Sequence, residues 1–400
     1  MNHFGLFAIL KVRNNFNMFN KGQYANPTIP RTRLYRVFFC FVLLVFNQPF
    51  AEDAYTAPSK TFVRLDRNGD DKLSGDELNT APAALIKAID TNGDGVITAE
   101  EDERYFLGRN KKRENDQTKI TISSHPYANN ANLQQRVDVY QPLFRESKDK
   151  LPLLIFIHGG GWRSGSKDTG VRHLSAYVSS GNYVGASIGY RLSGEAQWPS
   201  QIHDCKAAIR YLKANADTLG FDIEKIAVFG TSAGGHLSCM VAVSGNAPGL
   251  EGKIGENLKQ SSSVTCGISY FGPTNFLRMN DYPGSMDHDA VNSPESMLIG
   301  RSIQLAKKAT QKANPESYVD NDDPPMLFIH GSDDPLVAYN QSVLLSNRLK
   351  LFGVSADIIT VKGGGHGGFK NPRIKELERL FFEVHLLGAR HEIRSQTIPN

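Results

Sequence analysis

The feature that most constrains this chain is a glycine-flanked serine between two apolar runs. Residues 225–237 read KIAVFGTSAGGHL, so a β-type run leads into Gly230, Ser232 follows, and a helix-forming run begins at Ala233. A Gly-x-Ser-x-Gly motif between a strand and a helix makes a tight turn that exposes the serine hydroxyl above a sheet. Gly230 and Gly234 lack the Cβ atoms that would clash in that turn. The pattern therefore predicts Ser232 as a nucleophile.

A second stretch matches the same motif. Residues 185–189 read GASIG, but they lie inside an apolar run and no helix follows them. A motif this short occurs by chance, so its structural setting has to decide. We therefore expect Ser187 to be a strand residue.

A serine nucleophile needs a carboxylate and a histidine, which follow it in that chain order in sheets of this type. The apolar run 326–330 leads into Asp333 and Asp334, and Asp334 directly precedes a proline. We predict Asp334 as the acid, with Asp333 as the second choice. His366 lies among five glycines after the last predicted strand, where a flexible backbone brings an imidazole to the serine. It is predicted as the base.

An oxyanion-binding loop is predicted where a His-Gly-Gly-Gly-Trp segment ends at Trp162. Glycines allow backbone N–H groups to approach a substrate oxygen closely, so the predicted donors are those of Gly160, Gly161 and Ala233. His158 is expected to order this loop rather than react. Trp162 either walls the substrate pocket or packs in the core.

Two acidic loops, 66–77 and 90–101, begin 24 residues apart and match the calcium loop of an EF-hand. Where the second loop has Gly95 the first has Asp71, which tolerates a left-handed backbone, so the first loop is expected to be weakened rather than abolished. Calcium with a structural role is the predicted cofactor. The predicted ligands are Asp66, Asn68, Asp70, Lys72, Ser74 and Glu77 in the first loop and Asp90, Asn92, Asp94, Val96, Thr98 and Glu101 in the second. A small shared core is expected from Phe62, Leu65, Leu78, Leu85, Ile86 and Ile89.

The positive net charge of +4 arises from the N-terminal segment 1–51, which has six basic and no acidic side chains. Residues 52–400 keep 39 basic and 41 acidic side chains, a net charge of −2, which argues against nucleic acid as a partner. Three arginines precede the apolar run 37–46, which is too short to span a bilayer. A signal peptide over 1–51 and export to the periplasm, the cell surface or the medium are predicted, with an uncleaved anchor as the alternative.

Three cysteines remain beyond this segment, namely Cys205, Cys239 and Cys266. Each has apolar neighbours, and an odd number excludes a complete disulfide framework. Buried free thiols are predicted, and one bridge stays open.

The rest of the chain divides by composition. We predict an EF-hand pair over 52–108, a linker over 109–119, where no residue is apolar, a catalytic domain over 120–390 and a tail over 391–400. Strands are predicted at 120–123, 135–140, 153–158, 183–190, 226–229, 264–270, 326–330 and 357–361, and helices at 171–180, 202–215, 233–243, 340–352 and 372–387. This alternation predicts an α/β-hydrolase fold, an eight-stranded, mostly parallel sheet with helices on both faces, beside a small all-α EF-hand module.

With these residues identified, the chain over about 142–387 resembles the lipase and esterase branch of the α/β-hydrolases that has an HGGGW loop. Within that branch it is similar to the bifunctional acetyl xylan and feruloyl esterases. The matching segments are residues 158–162, Gly-Tyr-Arg-Leu at 189–192, residues 198–210, the Ser232 turn, Phe-Gly-Pro-Thr at 271–274, Ser-Pro-Glu-Ser at 293–296, the Asp334 turn and the His366 loop.

The resemblance implies hydrolysis of carboxylic esters through an acyl-enzyme, with acetyl or feruloyl esters of plant or algal polysaccharide as candidate substrates and no cofactor for catalysis. Related proteins with HGG-type loops cleave aryl formamides or small carboxylesters, so an arylformamidase-like or small-molecule esterase is an alternative. A non-catalytic, calcium-dependent binding protein on the same scaffold is an alternative of another class.

Overall fold

The computed structural model describes residues 58–79, 81, 83–145, 148–245, 247–282 and 284–400. The predicted signal peptide and the first residues of the EF-hand module lie outside this range. Across the part of the chain that is described, no helix combines the length and apolar character needed to cross a bilayer.

The N-terminal module consists of two loops between short helices. Its elements are α1 (Lys60–Leu65), β1 (Lys72–Leu73), α2 (Ala83–Ile89), β2 (Ile97–Thr98) and α3 (Ala99–Gln117). Antiparallel pairing of β1 with β2, two residues on each side, joins the two loops of the expected EF-hand module. Of the six predicted core residues, Phe62, Leu78 and Ile89 are buried, and the other three pack partly buried against them.

The segment predicted as a linker, 109–119, is mostly helical. α3 begins in the second loop and continues to Gln117. Arginine, lysine, glutamate and glutamine are good helix formers, and a helix that is polar all round is stable as a solvent-exposed bridge between packed units. The absence of apolar residues is therefore compatible with a regular helix.

A nine-stranded sheet forms the main part of the molecule, one strand more than predicted. Its strands are β3 (Ile120–Pro126), β4 (Arg136–Pro142), β5 (Leu151–Ile157), β6 (Val184–Ile188), β7 (Phe221–Thr231), β8 (Cys266–Tyr270), β9 (Met326–Gly331), β10 (Ala356–Lys362) and β11 (Gln396–Pro399). Their order is β11-β10-β9-β8-β7-β5-β6-β4-β3. Pairing is parallel except at β3–β4 and β4–β6.

The additional strand, β11, lies in the segment predicted as a tail. It pairs in parallel with β10, with Ile359 opposite Gln396 and Val361 opposite Ile398. A sheet edge presents unpaired N–H and C=O groups that attract any extended segment nearby. β11 satisfies these groups on β10, so residues 391–400 are part of the fold.

Helices cover both faces of the sheet. They are α4 (Val171–Val178), α5 (Ser200–Ala214), α6 (Ala216–Leu219), α7 (Ala233–Val243), α8 (Pro294–Ile299), α9 (Lys307–Gln311), α10 (Asn340–Leu351) and α11 (Arg373–Leu387). Along β5, Ile155 packs with α5 and α7 on one face, and Phe156 packs with α4 and α11 on the other. This alternation is expected of a strand that is buried on both faces.

The three cysteines are buried free thiols, as predicted. Ser187 also lies where expected, fully buried in β6, and its hydroxyl donates to the carbonyl oxygen of Lys167 at 2.7 Å.

Asp323, in the turn before β9, gives a prediction on stability. Burial, with the nearby charges of Asp320 and Asp322, raises its pKa to about 7. The folded state holds the Asp323 proton more tightly than the unfolded chain does, so ionisation of Asp323 lowers the free energy of unfolding. This loss of stability grows as pH rises from about 4 and is complete above about 7. Asp323→Asn keeps an oxygen for the Asp320 N–H, now bonded at 3.0 Å. It should raise Tm by about 2 °C at pH 8 in calorimetry. An equal rise at pH 4 would contradict an electrostatic cause.

Candidate functional site

The turn that holds Ser232 leaves no room for larger residues beside it. Ser232 has a left-handed φ of 54°, between the end of β7 and the start of α7. A Cβ on Gly230 would lie 2.4 Å from the carbonyl oxygen of Gly234, and one on Gly234 would lie 2.0 Å from that of Ile157. The two glycines thus allow α7 to begin directly against the end of β5.

The structure brings Ser232, His366 and Asp334 into one hydrogen-bonded chain. His366 Nε2 lies 2.9 Å from Ser232 Oγ, and His366 Nδ1 lies 2.7 Å from Asp334 Oδ2. Asp334 follows β9 and His366 follows β10, so two neighbouring parallel strands deliver both side chains to the same edge of the sheet. Asp333 is exposed, and its carboxylate accepts from Ser332 Oγ at 2.6 Å instead.

Asp334 is kept ionised although its side chain is buried. Burial raises the pKa of a carboxyl group, but hydrogen bonds from His330, His366 and the N–H of Val337 outweigh it and hold the pKa of Asp334 below the ordinary range. Its Oδ1 accepts from the N–H groups of Leu336 and Val337 at 2.9 and 3.0 Å. The carboxylate is thereby fixed in position as well as charged.

His330 and Phe271 contribute to this arrangement and had no role in the sequence analysis. His330 Nε2 lies 3.2 Å from Asp334 Oδ2, and its Nδ1 lies 2.8 Å from Ser342 Oγ. Phe271 packs on the His366 ring with 4.6 Å between centroids, and its own φ of 41° is left-handed. The Phe-Gly-Pro-Thr segment was a signal for Phe271, but nothing in it indicated contact with the histidine.

The HGGGW loop and the first residue of α7 supply N–H groups that have no partner in the described part of the chain. Those of Gly160, Gly161 and Ala233 make no hydrogen bond to any acceptor among the described residues, and all three residues line one cavity. The φ angles of Gly160 and Gly161 are 114° and 58°, and a Cβ on Gly160 would lie 2.2 Å from the Ser164 carbonyl oxygen. These donors are therefore available to a negatively charged oxygen beside Ser232.

His158 supports the loop through contacts with Gly159 and Tyr190. Its Nδ1 donates to the carbonyl oxygen of Gly159 at 2.8 Å, and its ring stacks on Tyr190 with 4.2 Å between centroids. Burial lowers the pKa of His158 to about 4, so the imidazole is neutral.

Trp162 both packs in the core and lines the cavity. Its Nε1 donates to His236 Nδ1 at 3.2 Å, and His236 Nε2 donates to the carbonyl oxygen of Ala313 at 2.7 Å. Burial lowers the pKa of His236 to about 4, which leaves its Nδ1 free of a proton and able to accept. The indole is thus held in one orientation beside the oxyanion loop.

A cavity of about 800 Å³ opens in front of Ser232 and His366. Its walls are mainly apolar, and one side is formed by Met286, His288 and Glu295 from the long segment between β8 and β9. His288 and Glu295 are both buried, with His288 Nδ1 3.1 Å from Glu295 Oε2. Burial opposes the charge on His288, but Glu295 outweighs it and raises the pKa of His288.

The two acidic loops share the same internal hydrogen bonds. In each loop, the first aspartate accepts hydrogen bonds from backbone N–H groups of its own loop, and the last glutamate accepts them from the N–H groups at positions 2 and 9. In the first loop, Asp66 accepts from Gly69 and Asp71, and Glu77 accepts from Arg67 and Ser74. In the second loop, Asp90 accepts from Gly93 and Gly95, and Glu101 accepts from Thr91 and Thr98. Asp71 adopts the expected left-handed φ, 58° against 79° for Gly95. The first loop therefore forms the same turn without glycine.

The fit of these loops to calcium rests on their turns and donor oxygens. The backbone N–H of Thr98, with further bonds from Thr98 and Thr91, lowers the pKa of Glu101 to about 2, so it is ionised near neutral pH. Hard oxygen ligands in this order suit Ca²⁺. No three His, Cys, Asp or Glu side chains within the described ranges are gathered closely enough to hold a metal ion.

Comparisons with known proteins agree with this architecture. Esterase LipC of Mycobacterium tuberculosis is 33% identical over 220 residues, 54% of this chain and 53% of LipC. The probable carboxylic ester hydrolase LipM of the same organism is 27% identical over 223 residues, 56% of this chain and 49% of LipM. The chain thus spans about half the length of these curated relatives.

Among solved structures, a truncated form of a carbohydrate esterase from gut microbiota is 31% identical. The match covers 66% of this chain and 95% of that one, with a TM-score of 0.60. The fold is that of the α/β-hydrolases, as predicted.

Two family models match the sequence. An EF-hand model matches residues 83–101, which contain the second acidic loop. The BD-FAE model matches residues 137–349, from β4 through the Ser232 turn and the Asp334 turn to α10. Because that match covers more than half of the length of this chain, the chain belongs to the BD-FAE family.

Proposed function

We propose that this protein is a serine esterase that hydrolyses carboxylic esters through an acyl-enzyme. The observation that carries the proposal is the hydrogen-bonded chain Ser232–His366–Asp334, which opens into a cavity lined by unpaired backbone N–H groups. The relatives named as esterases support it.

In the proposed reaction, His366 Nε2 takes the Ser232 proton as Ser232 Oγ bonds to the ester carbonyl carbon. Asp334 keeps Nδ1 protonated and stabilises the imidazolium, and the N–H groups of Gly160, Gly161 and Ala233 bind the oxyanion. Collapse breaks the bond to the alkoxy oxygen, which leaves with the proton from His366. Water, deprotonated by His366, then attacks the acyl-enzyme and releases the acid and free Ser232.

For the substrate we propose acetyl or feruloyl esters carried by a polysaccharide. The gut-microbiota neighbour named as a carbohydrate esterase supports this class. A cavity of about 800 Å³ with mainly apolar walls also suits an aromatic acyl group.

The test is steady-state hydrolysis of acetylated xylan and methyl ferulate beside p-nitrophenyl acetate and an aryl formamide, with Ser232→Ala as the blank. The highest kcat/KM on the carbohydrate and feruloyl esters supports the proposal. Turnover of the formamide or small activated esters alone would leave a hydrolase but refute the polysaccharide substrate. No turnover of any of the four, together with no phosphonate adduct on Ser232 by mass spectrometry, would refute the esterase.

We also propose that the two acidic loops bind Ca²⁺ through the ligands predicted from the sequence, with a structural role. Lys72 and Val96, at position 7 of each loop, would contribute their backbone carbonyl oxygens. The matching hydrogen bonds of the two loops, the ionised Glu101 and the EF-hand match over 83–101 support this. Calcium at 100 times its Kd should add about 2.7 kcal/mol to the stability of the module.

Glu101→Gln should remove calcium binding at the second loop, because it deletes the carboxylate expected to bind the ion with both oxygens. Glu100→Gln is the matched control, since Glu100 is exposed and pairs with Arg104. Titration calorimetry with CaCl₂ should show weak binding, with Kd of about 10⁻⁴ to 10⁻³ M, in the wild type and the control. Equal binding by both variants would contradict this ligand assignment.

A further inference from the structure

The mouth of the Ser232 cavity has an excess of positive charge. Among the residues that line the cavity, Glu295 is the carboxylic acid. The strong bases are Arg163, Arg172 and Lys375. Glu295 is buried against His288, so its charge is already matched. The charges left at the cavity are therefore cationic.

Two of these cations have no partner of their own. Lys375 pairs with Glu378 at 2.7 Å. Arg163 and Arg172 are exposed, and neither side chain forms an ion pair or hydrogen bond with any of the described residues. Arg163 follows the oxyanion loop and Arg172 lies in the first turn of α4, so two separate elements place an arginine along the same cavity.

The local positive field is also felt by a neighbouring side chain. His173 lines the same cavity and stacks on Phe156 with 4.1 Å between ring centroids. Burial, then the positive charges of Lys375 and Arg172, lower the pKa of His173 to about 4, against the opposing charge of Glu378. Residues 52–400 have a net charge of −2, so this positive field does not come from an excess of basic residues in that part of the chain as a whole.

We infer that the substrate carries an anionic group, a carboxylate or a sulfate, which Arg163 and Arg172 bind at the cavity mouth while the ester lies at Ser232. The inference rests on the proposed esterase function and names the chemical class of its substrate. Guanidinium groups match both anions, because their parallel N–H donors bind two oxygens of a planar carboxylate or of a sulfate. An ester on an acidic polysaccharide has this chemistry, whereas an ester on a neutral one does not.

The test compares three phenyl acetates that differ only in the para substituent: 4-acetoxybenzoate, 4-acetoxybenzenesulfonate and methyl 4-acetoxybenzoate. The measured quantity is kcat/KM for each anion divided by kcat/KM for the neutral ester, so that effects on the chemical step cancel. The variant is Arg163→Gln/Arg172→Gln. The matched control is Arg301→Gln, an exposed arginine outside the cavity lining.

The ratio should fall about tenfold in the double variant, because two exposed charge pairs are each worth up to about 1 kcal/mol. It should stay unchanged in Arg301→Gln, and in the wild type it should decrease with added NaCl, which screens exposed charges. A fall for the benzoate alone or for the sulfonate alone identifies which anion is bound. An unchanged ratio for both anions would overturn the inference while leaving the esterase intact.

A binding measurement separates this inference from the catalytic proposal. In Ser232→Ala protein, titration calorimetry with 4-acetoxybenzoate and with its methyl ester needs no turnover. Tighter binding of the benzoate that disappears when Arg163 and Arg172 are also replaced supports the site, even if the reaction proves to be different. Equal binding of the two compounds would overturn it.

Discussion

Ser232→Ala should lower kcat on any carboxylic ester by about 10⁶-fold, because loss of the nucleophile removes the acyl-enzyme route as a whole. The fold should be retained. The backbone N–H of residue 232 donates to the carbonyl oxygen of Tyr270 at 2.8 Å, and alanine keeps that bond. The change in Tm should therefore be within about 2 °C, as for ordinary surface substitutions.

The control for this prediction is Ser187→Ala, in the second Gly-x-Ser-x-Gly stretch. Ser187 is fully buried in β6, and its hydroxyl bonds to the backbone at Lys167. Its loss should cost stability, about 1 kcal/mol for one hydrogen bond, with kcat per folded molecule unchanged. If Ser232→Ala kept more than about 1% of the wild-type kcat, Ser232 could not be the nucleophile.

Gly234→Ala should destabilise the protein by at least about 3 kcal/mol, because the added methyl group meets backbone that cannot move aside easily. Its Cβ would lie 2.0 Å from the carbonyl oxygen of Ile157 and 2.6 Å from that of His158. Relief of these contacts requires α7 to shift away from the end of β5. The same shift displaces Ser232 and the oxyanion loop together.

We expect Tm to fall by about 6–12 °C in calorimetry and kcat/KM to fall further than the loss of folded protein explains. Gly194→Ala is the control, because a Cβ there meets no atom within 4 Å and its φ is not left-handed. It should leave Tm within about 1 °C of the wild type. A Gly234→Ala protein as stable as Gly194→Ala would show that the turn can accept a side chain, against the geometry described.

The approach of Ser232, His366 and Asp334 could be anticipated because topology restricts where each side chain can lie. Parallel strands end at one edge of the sheet, so a serine after β7, an acid after β9 and a histidine after β10 must lie near one another. The local sequence then distinguished between Asp333 and Asp334 as the acid. Asp334 is followed by a proline, and the backbone N–H groups of Leu336 and Val337 bind its carboxylate, whereas Asp333 is exposed to solvent.

Features that depend on distant partners were not predictable in the same way. β11 has no apolar run and ends at Pro399, and it is a strand because the edge of β10 is available to it. Phe271 takes a left-handed backbone that its side chain disfavours, and the contact with His366 that accompanies this is visible only in three dimensions. The cationic mouth also needed the fold, since Arg163 and Arg172 lie on different elements.

The polar helix α3 runs from the second acidic loop toward the main sheet. Its first turn contains Glu101, and near its far end Asp116 accepts a hydrogen bond from Ser179, just beyond the end of α4, at 3.1 Å. A helix of 19 residues is about 28 Å long. A tilt of about 5° at the loop end therefore moves the other end by about 2.5 Å. Because α4 begins with Val171 and Arg172, the acidic loops are connected to one wall of the cavity through α3 and α4.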